Sequence, residues 1–248
     1  MDSRNSIAFY KKNGLYMLSS NEIDCICEKL IFKYNPSLLE NAQPFDIETF
    51  LEFDQKANID YFQLTPDMKI YGCAVAKAGF VPFWNSENQC MDQKWVEDNT
   101  IVIDERLSIN NNPRNHALLR TVLAHEYMHL SFQAEYLRNM DNTIPNFHVN
   151  ENHYRSTLNI NFCDGDICEW QANRGGIGLL MNKKAVLSHI DQMLKVIPAY
   201  DVFPEVMIQN IARTFNVTNE LAYYRLVDLP KFVHIFGRVE LKNLAFSE

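Results

Sequence analysis

His125-Glu126-Tyr127-Met128-His129 constrains this chain more than any other stretch, because it lies inside an unbroken helical pattern running from about Pro113 to about Asn139. An α-helix turns once every 3.6 residues, so side chains four apart stand one above the other, and His125 and His129 can offer both imidazoles to one ion. Two neutral imidazoles make half of a tetrahedral zinc shell, while Glu126, one step round the helix, reaches past the ion to a water without being a ligand. There it is placed as a general base: zinc brings the pKa of such a water to about 7, and the carboxylate takes its proton. Asn112 suits the N-cap and Pro113 the first helical position, and the apolar Leu118, Val122 and Leu130 call for a largely buried helix.

A third protein ligand has to come from elsewhere. In one large class of zinc peptidases a His follows the second His by six residues, after a helix-breaking Gly. Here those positions hold Glu135 and Phe132, so the helix continues and Glu135 lies about 120° round from His129, out of reach of the same ion. Glu169 is the better candidate, since Glu169-Trp170-Gln171-Ala172-Asn173 opens a second helical pattern, and a carboxylate from a neighbouring helix leaves one position for water. His148, Glu151 and His153 remain as alternatives on an Asn-rich connecting stretch that would fix a ligand poorly. Asp166-Ile167-Cys168-Glu169 also reads as a capping box, which would bend Glu169 back to the Asp166 backbone, and one side chain cannot easily do both. Asn173, one turn on, either orients His125 or His129 or faces solvent.

These residues resemble the ImmA/IrrE family of metallopeptidases, whose pattern is a helical HExxH and a later E-x-x-A-N ending in L-L-M, here Glu169-x-x-Ala172-Asn173 and Leu179-Leu180-Met181. Pro44-Phe45-Asp46-Ile47, Ile70-Tyr71-Gly72, Ile101-Val102-Ile103-Asp104-Glu105 and Arg120 through Ala124 are similar to that family's leading helix, strands and run into the first His. The resemblance spans roughly residues 20 to 230. It implies a zincin-like α+β fold and a zinc-dependent endopeptidase whose substrate is a helix-turn-helix transcriptional repressor, often of a mobile element or a stress response. Two departures stand near the site: Met128 where the family usually has Gly, and Thr121 where it often has Phe. A third is Gly175-Gly176, with Gly178 following, at up to about 1 kcal/mol per glycine if the helix continues. Either the glycines let this helix approach the first one closely, offsetting the bulk of Met128, or the helix breaks there.

Composition excludes several other classes. With 248 residues, 47% apolar and 22% charged, the chain can bury one sizeable core. A net charge of −8 argues against coating nucleic acid or an anionic membrane, and favours a partner with a basic surface such as a DNA-binding repressor. No secretory apolar segment and no run of 18 apolar residues are visible, which predicts a cytoplasmic protein without membrane attachment. The six cysteines lack C-x-x-C spacing and are expected as reduced thiols. Cys163 and Cys168 flank Asp164-Gly165-Asp166, read as a loop feeding a helix cap rather than a second metal site.

The remaining pattern predicts a small mixed or antiparallel sheet packed on the HExxH helix, with a mostly helical C-terminal part. A helix over Asn21 to Tyr34 and a short one from Phe45 to Phe53 precede strands at Ile59 to Thr65, Lys69 to Lys77 and Thr100 to Asp104, with Asn85 to Asn99 as a polar connection. The Lys-ended run from Lys69 to Lys77 is a candidate edge, either docking an extended substrate or guarded against pairing. His148, His153 and Tyr154, in the loop from Asn139 to Asn161, are candidate oxyanion stabilisers. Residues 1–195 read as the peptidase domain and 196–248 as a helical subdomain. In that subdomain Glu205 to Leu229 resembles a helix-turn-helix, with a break at Asn216 and Thr218 as N-cap. From Glu205 to Lys231 the charges cancel: Arg213, Arg225 and Lys231 against Glu205, Glu220 and Asp228. Packing or substrate gripping is therefore preferred to DNA binding. The competing function is a non-catalytic protein- or DNA-binding regulator with a structural or vestigial metal site.

Overall fold

A computed structural model describes residues 11–12, 14–109, 112–139, 164–196 and 203–244. A two-residue ribbon pairs β1 (Lys11–Lys12) with β2 (Leu15–Tyr16). Helix α1 (Ser20–Tyr34) starts at Ser19, whose backbone N–H donates to Glu22 at 2.7 Å in a reciprocal capping box, and stops at Asn35 because Pro36 cannot extend it. Ile23, Cys27 and Ile31, four apart, form its buried stripe, and each fully buried Ile contributes about 1.5–3 kcal/mol. The short α2 (Ile47–Thr49), capped by the Asp46 side chain on the Thr49 N–H, runs on as a π-helical turn over Phe50–Asp54.

Next come β3 (Asn58–Tyr61), β4 (Gly72–Val75), β5 (Gly79–Asn85), β6 (Cys90–Val96) and β7 (Thr100–Ile103). The main sheet has the order β3-β7-β4, with β3 parallel and β4 antiparallel to β7, so it is mixed and β4 is an edge. Ile101 and Ile103 face the large core and Val102 a smaller one, as the period of two requires. The stretch from Asn85 to Asn99, expected as a polar connection, is corrected by the structure: most of it belongs to an antiparallel β5–β6 hairpin. Its inward residues Val81 and Val96 close the smaller core against Cys73 and Val75, while its outer face stays polar enough to mask the strand pattern.

After α3 (Arg106–Ile109) comes the central helix α4 (Pro113–Asn139), over the predicted range and with the Asn112 side chain accepting from the Arg114 N–H at 3.0 Å. From Ala117 to Gln133 it is buried on nearly every side. Helix α5 (Asp164–Leu180) lies between α4 and α1. It is followed by α6 (Lys183–Val196), α7 (Pro204–Phe215), α8 (Asn219–Val227) and α9 (Pro230–Phe236). The α7–α8 turn has Asn216 in the left-handed conformation and the Thr218 side chain accepting from the Leu221 N–H. Beyond Phe232 the chain finishes α9 and adds a 3-10 turn over Leu241–Asn243.

The C-terminal helices share the large core: Met207, Ile211, Phe215, Leu226 and Phe232 bury with residues of α1, α4 and α5. Two buried arginines cross the same boundary. Arg120 of α4 donates to the carbonyls of Phe215 and Asn216, where the exposed C-terminal dipole of α7 favours a cation. Arg225 of α8 turns inward, fully buried, to Asp24 of α1 at 2.8 Å, so it is not displayed on a nucleic-acid-binding face. Among the described residues, no helix is long and apolar enough to cross a membrane.

Candidate metal centre

His125 and His129 project from the middle of α4 with ring centroids 4.7 Å apart, and their Nε2 atoms approach to 3.0 Å. Across from them, the Glu169 carboxylate of α5 lies 3.4 Å from His125 Nε2 and 3.4 Å from His129 Nε2. All three side chains are buried, and together they form the one cluster of potential metal ligands among the described residues. Glu169 stands in the second turn of a helix that begins at Asp164, which removes the capping-box reading: Asp166 is inside the helix rather than at its cap. His148, Glu151, His153, Tyr154 and Cys163 lie outside the described residues.

The ring orientations are set by amide oxygens. Asn173 Oδ1, one turn beyond Glu169, is 2.9 Å from His125 Nδ1, and Gln133 Oε1, one turn beyond His129, is 2.5 Å from His129 Nδ1. A carbonyl oxygen only accepts, so each Nδ1 carries the proton and each Nε2 presents its lone pair. Two imidazole nitrogens and a carboxylate thus converge on one small buried volume, and on that donor chemistry the residues fit a metal.

Glu126 completes the polar group without joining the ligand cluster. Its side chain is 1% exposed, the Ala74 backbone N–H of β4 donates to its carboxylate, and among the described residues Oε1 has no hydrogen-bond partner. Burial pushes its pKa up to about 8, against the pull of His125 and with the help of Glu169. At His125, burial acts downward, but the Glu169 and Glu126 carboxylates and Asn173 outweigh it and hold the imidazole above its usual value.

Close approach of three elements makes this possible. On β4, Gly72 faces α4: a Cβ there would come 2.6 Å from Val122 Cγ1 and 3.1 Å from Glu126 Cγ. On α5 the helix continues through the glycines, and Gly175 and Gly176 lie directly against α4. A Cβ on Gly176 would sit 3.2 Å from the His125 backbone N, and one on Gly175 would sit 2.7 Å from Met128. The bulk of Met128 is thus accommodated by the missing side chain of Gly175.

Two features went unmarked in the sequence. Gln133 lies four residues after His129, a spacing that could have singled it out as a ring partner. Ala74 could not have been found, because its contribution is a backbone N–H. No protein-family model matches the chain, and no curated protein matches it.

Proposed function

We propose that the protein is a zinc-dependent endopeptidase with a zincin-like site, making a limited cut in a protein substrate. His125 Nε2, His129 Nε2 and Glu169 would hold the metal. Ligand atoms about 2.0–2.1 Å from a tetrahedral zinc stand about 3.3–3.4 Å from one another, close to the 3.0 Å between the two Nε2 atoms and the 3.4 Å from His125 Nε2 to Glu169 Oε2 and from His129 Nε2 to Glu169 Oε1. When bound, zinc supplies a lowered water pKa and polarises the peptide carbonyl.

The observation that carries a catalytic role is Glu126. A structural metal site is complete with its ligands, and burying a further carboxyl group whose Oε1 has no partner among the described residues carries a cost that the Ala74 N–H offsets only in part. As a general base Glu126 receives the proton of the attacking water, and as a general acid it delivers a proton to the leaving amine nitrogen. The Ala74 N–H holds the carboxylate in place, while Asn173 and Gln133 keep the two rings turned to the ion.

The resemblance to ImmA/IrrE peptidases supports a helix-turn-helix repressor as substrate and a cytoplasmic setting, and the net charge of −8 suits a basic partner. The test is incubation with candidate repressors, beginning with any encoded beside the gene, followed by mass spectrometry of the fragments. Wild type should make one cut, and Glu126→Gln should bind zinc equally and cut nothing. Equal cleavage by Glu126→Gln, or none by the zinc-loaded wild type across the candidates, would reject the reading.

A further inference from the structure

Gln133 is 1% exposed and spends both ends of its amide on the metal centre. Its Oε1 meets His129 Nδ1 at 2.5 Å, and its Nε2 donates to the Cys168 carbonyl at 2.8 Å. Cys168 belongs to α5 and directly precedes Glu169. An amide has one accepting and one donating end. The Cys168 carbonyl can only accept, so it draws the NH2 group and leaves the oxygen for the ring. The backbone of one helix therefore chooses which end of Gln133 a histidine on the other helix meets.

We infer that Gln133 is a positioning residue that makes His129 competent to bind the metal only when α5 is docked. With α5 in place, Oε1 holds the proton of His129 on Nδ1 and leaves the Nε2 lone pair aimed at the Glu169 carboxylate. Without the Cys168 carbonyl nothing fixes the amide, and its NH2 end can face Nδ1 instead. That stabilises the tautomer with the proton on Nε2, where it blocks coordination. Asn173 does the corresponding work for His125 directly from α5. Docking α5 thus supplies a ligand, Glu169, and sets the tautomer of both histidines. The inference rests on the metal-centre reading but not on cleavage.

Three variants of the full chain separate the roles. Gln133→Met fills the space with neither donor nor acceptor. Gln133→Glu keeps an acceptor for the ring but sets an oxygen against the Cys168 carbonyl. Ala134→Ser, next along the helix and outside the site, serves as control. Zinc affinity is read by competition with a chromophoric chelator, and folding by circular dichroism. Gln133→Met is expected to weaken binding about 10- to 100-fold, and Gln133→Glu to weaken it as well, whereas a pure ring-acceptor role would spare Gln133→Glu. Two-bond nitrogen–proton spectra of metal-free wild type at mildly alkaline pH should place the His129 proton on Nδ1. Unchanged zinc affinity in folded Gln133→Met or Gln133→Glu overturns the inference. So does a wild-type His129 proton found on Nε2, a readout that needs neither a folded variant nor bound metal. Weakened zinc binding in the variants, from a wild type that cuts no protein, would reject the peptidase reading and leave this one standing.

Discussion

Helix α5 has two buried polar faces, and they solve the problem of burial differently. Toward α4 it presents Glu169 and Asn173 to the two histidines, with Gly175 and Gly176 bringing the backbones together. Toward α1 and α8 it presents Arg174, which pairs with Asp24 at 3.0 Å and with Asp228, while Arg225 of α8 pairs with the other oxygen of Asp24. The second face balances two guanidinium groups against two carboxylates and is neutral as it stands. The first gathers two imidazole nitrogens and the Glu169 carboxylate, three groups that could hold a metal ion. Mutual ion pairs mark the face that holds the helix, and a converging donor set marks the candidate site.

Breaking the neutral face should have the largest effect on stability. Asp24→Ala strands Arg225 in the core and leaves Arg174 with Asp228 alone, and is expected to cost about 3–5 kcal/mol in denaturant unfolding. A smaller loss than for an exposed pair would mean that the network does not hold α5. On the metal face the corresponding test is addition of the ion. Zinc at about one hundred times its Kd should stabilise wild type by about 2.7 kcal/mol, and Glu169→Ala should lose that increment at the same zinc concentration.

The glycines sharpen the comparison. Gly176→Ala pushes a methyl at the His125 backbone, which cannot yield as a side chain can. About 1–3 kcal/mol of overpacking, less about 1 kcal/mol of helix propensity gained, should accompany weaker zinc binding. Gly178→Ala meets the Cys27 Sγ on the other face at 3.1 Å and should change stability by less than about 1 kcal/mol, with zinc affinity unchanged. Equal effects of the two on zinc affinity would erase the distinction between the faces.

The sequence marks the face of His125, His129 and Glu169 better than the ion-paired one, for a physical reason. His125 and His129 lie one helical turn apart, so the period of the helix alone places them together, and Glu169 follows from the need for a third ligand. Asp24, Arg174 and Arg225 come from three distant helices, and no local spacing announces that they meet. The β5–β6 hairpin is not legible in the sequence because Glu87, Asn88, Gln89, Asp92, Gln93 and Lys94 interrupt any apolar alternation, and only Val81 and Val96 turn fully inward. The glycine stretch of α5 left helix continuation open, because a glycine's low helix propensity is local whereas its value at a close helix contact depends on the partner.

Zinc X-ray absorption on the reconstituted protein tests the central claim most directly. The account predicts only nitrogen and oxygen neighbours at about 2.0–2.1 Å, with the multiple-scattering pattern of two imidazoles that falls to one in His129→Ala. A sulfur neighbour at about 2.3 Å, or a spectrum that His129→Ala leaves unchanged, would place the ion elsewhere and contradict it.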